Sequence, residues 1–175
     1  MQIHADAAVS YPREQVFEVY RDKLVELVPY LPNVDWIKIL ERREEGPVVH
    51  LVNEWKARGD IPKVARKIIK PETLLWKDFA DWDHDEYSCA WRFEMAFMRE
   101  QVKASGKNFL VENGPDRTRY EIRGTLEIDG NNIPGVPGML GRRIVPQIEK
   151  FVIALIRPNF IKISDGVQQY LDAGK

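Results

Sequence analysis

Residues 87–98 alternate with a period of two. Tyr87, Cys89, Trp91, Phe93, Met95 and Phe97 fall on one side of an extended chain, and Ser88, Arg92 and Glu94 fall on the other. That spacing predicts a strand with one buried face. A second clear alternation sets Tyr120, Ile122, Leu126 and Ile128 against Arg119, Glu121, Arg123 and Glu127. Further strands are predicted over 3–9, 34–44, 47–57, 73–82 and 102–112, giving seven with 86–98 and 117–129. The later strands are separated by short turns at Glu45-Gly46, Asp83-His84-Asp85 and Asn113-Gly114-Pro115-Asp116. Hairpin turns of this kind predict an antiparallel sheet. In 48–57 the set Val49, Leu51, Asn53 and Trp55 is the more apolar, which turns Asn53 and Trp55 inward and His50 outward.

Helical spacing appears in four places. Ser10 reads as an N-cap with Pro12 in the first turn, and Val16, Phe17, Val19 and Tyr20 form an apolar face behind it. A short helix is expected over Leu24–Tyr30. Apolar residues at Ile61, Val64, Ala65, Ile68 and Ile69 predict a short helix over 61–69, with a continued strand as the competing reading. Beyond a Gly- and Pro-rich loop at 130–141, residues 142–171 carry Ile144, Ile148, Phe151, Val152, Leu155, Ile156, Phe160, Ile163, Val167 and Tyr170 at helical intervals. Pro158 falls inside this stretch and predicts a kink or restart near Arg157. The loop itself reads either as a portal or as a packed connector. Arg142 and Arg143 behind it read as solvated.

A seven-stranded twisted sheet curls. Its apolar concave face then receives the long helix, so the pattern predicts one α+β domain spanning 1–175. That order of elements resembles the helix-grip fold of the START-like (SRPBCC) superfamily, which includes birch-pollen-allergen-like proteins, polyketide cyclases and small lipid carriers. The opening Ala8-Val9-Ser10-Tyr11-Pro12-Arg13-Glu14-Gln15-Val16-Phe17 is similar to the entry into the first helix common there. Tyr30-Leu31-Pro32-Asn33-Val34-Asp35-Trp36 resembles the passage into the second strand. The glycine-rich loop of the plant allergens is absent, and only Glu45-Gly46-Pro47 stands at the corresponding turn. The resemblance implies a cavity for an apolar ligand between sheet and helix, and no single activity.

Composition narrows the chemistry. The chain of 175 residues is 44% hydrophobic and 30% charged, with a formal net charge of −1. No global field favours nucleic acid. The single cysteine, Cys89, allows no intrachain disulfide and no Cys-rich metal site, which fits a cytoplasmic setting. The first residues lack the pattern of a signal peptide, and the longest apolar run, Phe151 to Ile156, is far short of the roughly 20 residues a membrane span needs. No P-loop, Rossmann fingerprint or zinc spacing occurs, so no cofactor and no metal is expected. Asp83-His84-Asp85-Glu86 reads as a solvated hairpin tip, and Cys89 as a buried apolar residue.

The expected ligand-binding residues are therefore Trp55, Tyr87, Trp91, Phe93, Met95, Tyr120, Ile122, Phe151 and Leu155. The expected function is binding or transport of a hydrophobic small molecule, lipid-like or polycyclic, without chemistry of its own. Two alternatives stand beside it. One is a polyketide cyclase, dehydratase or aromatase using donors such as Tyr87, Tyr120 or Asn53, for which the sequence offers no general base. The other is a protein-interaction module with a filled core. The pattern leaves the oligomeric state open.

Overall fold

The computed structural model describes residues 1–58, 61, 70–96, 98–133 and 136–174; the side chains of Pro71, Arg142, Phe151 and 154–160 lie outside that description. The chain runs β1 (Gln2–Val9), α1 (Arg13–Asp22), a 3-10 helix (Leu24–Tyr30), β2 (Val34–Glu45), β3 (Val48–Ala57), a 3-10 turn (Pro71–Thr73), β4 (Leu75–Asp83), β5 (Ser88–Met95), β6 (Val102–Glu112), β7 (Thr118–Ile128) and α2 (Gly138–Asp172). The strands form one antiparallel sheet in the order β1-β7-β6-β5-β4-β3-β2. Consecutive strands from β2 to β7 are neighbours. The N-terminal strand closes the far side by pairing with β7, with Ile3 opposite Gly124 and Ala7 opposite Tyr120.

The inner face of this sheet is apolar in register across several strands. Leu51, Trp55, Ala80, Trp82, Trp91, Ala104, Leu110, Ile122 and Leu126 are all buried, and α2 contributes Ile148, Val152, Ile163 and Val167 to the same core. The burial of β3 alternates residue by residue, as the period-two pattern requires. His50 is on its outer side and shares a 2.6 Å contact with Asp81.

Several boundaries differ from the sequence reading. Ser10 does not cap α1: Pro12 takes the N-cap position with ψ 145°, and no side chain caps the helix. The Ser10 N–H donates to Gln168 Oε1 of α2 at 2.7 Å. The segment Leu24–Tyr30 winds as a 3-10 helix with Pro29 inside it, where the missing N–H removes one α-helical bond. β4 starts at Leu75, because Thr73 Oγ1 donates to the Lys70 carbonyl and closes a turn before it. β5 is shorter than its alternation. Tyr87 and Met98 both have φ near +50°, so the strand starts after one and ends before the other. α2 begins at Gly138, a turn earlier than expected, and continues past Pro158 as one element without a restart. The 61–69 reading falls almost wholly outside the described residues; Ile61 itself is buried. The described part of 130–141 is tied down. Asp129 accepts from Asn131 N and Asn132 Nδ2, Ile133 is buried, and the Gly141 α-carbon sits so close to the Gly130 carbonyl that a Cβ would lie 2.1 Å from its oxygen.

One close approach shapes the sheet interior. Trp91, Gly106 and Gly124 face one another across β5, β6 and β7. The indole of Trp91 occupies the space that side chains at both glycines would fill: a Cβ on either would stand 2.6 Å from its Cζ2. Overpacking of a tight site costs about 1–3 kcal/mol, and here backbone oxygens 2.1–2.7 Å from the same position leave little room to relax. Gly124→Ala is accordingly predicted to lose at least that much in urea unfolding and to shift the indole N–H resonance of Trp91. A stability equal to wild type would contradict the packing described.

Candidate functional site

Between the concave sheet face and the helices lies a cavity of about 90 Å³. β3 lines it with Asn53, Trp55 and Ala57, and β4 with Trp76, Asp78, Ala80 and Trp82 behind Leu74. β5 adds Cys89, Trp91, Phe93 and Met95, β6 adds Asn108, and β7 adds Tyr120. Tyr20, Leu24, Leu31 and Ile163 close it from the helical side. Seven of these side chains are aromatic, and no Lys, Arg or His is among the lining residues described. The rings are ordered against one another: Trp55 stacks on Trp76 at 5.5 Å between centroids, Trp91 on Phe93 at 4.7 Å, and Tyr20 on Tyr120 at 4.4 Å. Such pairing fixes the walls without filling the space.

Three polar groups interrupt this lining, in two places. At β3–β4, Asn53 faces Asp78 across the ladder, and its Nδ2 donates to Asp78 Oδ2 over a long 3.3 Å. Asn53 Oδ1 is buried and has no hydrogen-bond partner among the described residues. Burial pushes the Asp78 carboxyl up to about 6, against weaker opposing pulls from the N–H groups of Asn53 and Trp55. Among the described residues the Trp55 indole N–H nonetheless meets no acceptor at good hydrogen-bond geometry. At β5–β7, Trp91 Nε1 donates to Asn108 Oδ1 at 2.7 Å, and Asn108 Nδ2 donates to the Tyr120 oxygen at 2.6 Å. Behind the cavity, the Tyr20 and Ser164 hydroxyls share a 2.6 Å bond that ties α1 to α2.

Of the residues expected to bind a ligand, Trp55, Trp91, Phe93, Met95 and Tyr120 line this cavity. Ile122 is wholly buried in the core and does not border it. Tyr87 is a correction. Its left-handed backbone takes it off the β5 alternation, and its hydroxyl donates to Glu14 on α1 while Arg13 lies over its ring at 3.9 Å. Phe151 and Leu155 belong to α2, but their side chains lie outside the described set. Asp78 and Asn108 were missed. Each is a polar residue in the inward phase of an otherwise apolar strand: Asp78 falls between Trp76 and Ala80, and Asn108 between Gly106 and Leu110. Among the described residues no group of three or more His, Cys, Asp or Glu side chains is placed to hold a metal, and no helix is long and apolar enough to cross a membrane.

The raised Asp78 pKa has a defined effect on stability. An ordinary aspartate titrates near 3.9. With the folded value at about 6, the contribution of Asp78 is fully present below pH ~4 and is lost as pH rises through 6. Cys89 and Tyr120, which face it from β5 and β7, are both held well above their usual ranges by burial and stay neutral there. Asp78→Asn is therefore predicted to gain on wild type by up to about 3 kcal/mol between pH 4 and pH 8, read by urea unfolding at both. A difference independent of pH would contradict the assignment.

No family model matches the sequence, and neither does any curated protein at a significant level. The fold, in contrast, has clear counterparts among solved structures. TTHA0849 from Thermus thermophilus superposes with a TM-score of 0.69 at 19% identity, over 100% of this chain and 99% of its own. The Zhui aromatase/cyclase from Streptomyces sp. R1128 gives 0.66 at 17% identity, over 98% and 93%. Norcoclaurine synthase from Thalictrum flavum, in complex with dopamine and hydroxybenzaldehyde, gives 0.63 at 15% identity, over 100% and 88%. By fold, the chain is a helix-grip protein, with the same curved antiparallel sheet and long C-terminal helix as these structures.

Proposed function

We propose that the protein binds a small molecule with a flat apolar body in this cavity and serves as its carrier or sensor. The observation that carries the reading is an aromatic cavity into whose wall a buried carbonyl oxygen, Asn53 Oδ1, is built without a partner among the described residues. A buried polar atom left unpaired costs about 1–3 kcal/mol. A bound molecule or water that donates to it removes that cost, and apolar burial against the rings supplies about 25 cal/mol per Å². The volume of about 90 Å³ is well below the roughly 300 Å³ at the lower end of ligand pockets. It suits a single ring with a short substituent. A lipid-like or polycyclic ligand requires the cavity to widen.

Titration with toluene, naphthalene and octanoate, followed through the tryptophan indole N–H resonances, tests this. Toluene is expected to bind with a Kd of about 10 μM to 1 mM and to shift Trp55 and Trp91 first. Indole signals unmoved by all three ligands would overturn the reading.

One observation favours a second reading, chemistry of the cyclase or dehydratase type. A buried carboxyl titrating at about 6 is suited to take and return a proton near neutral pH, and Asp78 supplies the general base that the sequence pattern did not reveal. On that reading, wild-type protein speeds deuterium exchange into the methyl group of acetophenone, and Asp78→Asn abolishes the effect. Exchange at the rate of buffer alone would leave a binder.

A further inference from the structure

The hydrogen bonds on the β5–β7 side of the cavity have only one consistent direction. An indole N–H donates and cannot accept, so Trp91 fixes the oxygen of the Asn108 amide on its own side. The amide nitrogen is then turned to Tyr120, and it too can only donate. The Tyr120 oxygen is therefore an acceptor in this chain, and its own proton is left over. Among the described residues no acceptor stands at hydrogen-bond distance from it: Tyr20, stacked on its ring, has its hydroxyl bonded to Ser164 and not to Tyr120. The Tyr120 side chain is 3% exposed, so bulk water does not take the proton either. It does line the cavity.

We propose that Tyr120 is a preset hydrogen-bond donor into the cavity, oriented by Trp91 through Asn108, and that the ligand it selects carries a carbonyl or similar acceptor oxygen. The inference rests on the binding reading above and gives its ligand a chemical class. Burial holds the Tyr120 hydroxyl well above its usual range, so it stays protonated and able to donate at neutral pH. The bond also gains strength from its surroundings, since a chain of aligned donors polarises each member in a dry site. Asn108 and Trp91 act as positioning residues. Both also border the cavity, but in this role they act through Tyr120, by preventing it from turning its proton to the amide. A ligand oxygen on this side and a donor on the Asn53–Asp78 side would satisfy both ends of the cavity.

The test uses acetophenone labelled with carbon-13 at its carbonyl, with toluene as the probe lacking the oxygen. In isotope-edited infrared spectra, the carbonyl band of bound acetophenone is expected at lower frequency than in hexane. Tyr120→Phe is expected to return it upward and to weaken acetophenone about fivefold to tenfold relative to toluene. Trp91→Phe frees the amide to rotate and accept from Tyr120, so the band also moves up although the hydroxyl remains. If that variant does not fold, the wild-type band and Tyr120→Phe decide alone. A wild-type band at its hexane position, or one unmoved by Tyr120→Phe while toluene and acetophenone both bind, overturns this inference and leaves the binding reading in place. Failure of both probes to bind overturns the two together.

Discussion

The Trp91 indole fills the room left by Gly106 and Gly124, and the architecture of the site depends on that contact. Three adjacent strands approach one another over a single side chain, because two of them have none at that level. The ring is thereby fixed against the sheet instead of reaching out to α2. Its N–H meets Asn108, its face meets Phe93, and space remains between sheet and helix where a freely placed Trp would have packed. Protein interiors are normally filled to crystal-like density. A cavity persists here because its walls are stacked ring on ring and hydrogen-bonded behind, so they cannot relax into it.

The same wall holds polar atoms that an ordinary core would exclude. Asp78, Asn53 and Asn108 are almost fully buried. Replacing them with apolar residues of similar shape would suit the fold better, since a buried carboxyl with one long hydrogen bond is a cost to stability. Groups of this kind, converging on an aromatic cavity, are what a binding site needs and a core does not. The fold itself is shared widely and fixes no activity; the argument for function rests on these few atoms.

Much of the fold was legible in the chain, because period-two alternation in β3, β5 and β7 and the long helical stripe are consequences of one buried face per element. Tyr87 shows where that logic stops. It continues the alternation of Cys89 and Trp91 by one more step, but the hairpin needs a left-handed residue there, and turn geometry turned the side chain to Arg13 and Glu14. Ser10 failed because the chain stays extended through Pro12, which takes the N-cap position, so the helix starts at Arg13 and leaves Ser10 two residues upstream of the cap. Asp78 was visible as an acid in an inward phase, but only the structure shows that no cation stands among the described residues lining the cavity around it. The direction of the Trp91–Asn108–Tyr120 chain could not be read at all, since it depends on three strands meeting in register.

The central claim is that the space between sheet and helix receives a ligand. A crystal structure of the protein grown with acetophenone tests it most directly. Electron density for the ring between Trp55 and Trp91, with its oxygen at hydrogen-bond distance from the Tyr120 hydroxyl, is the predicted result. A cavity empty or filled only by water at saturating acetophenone would contradict the account.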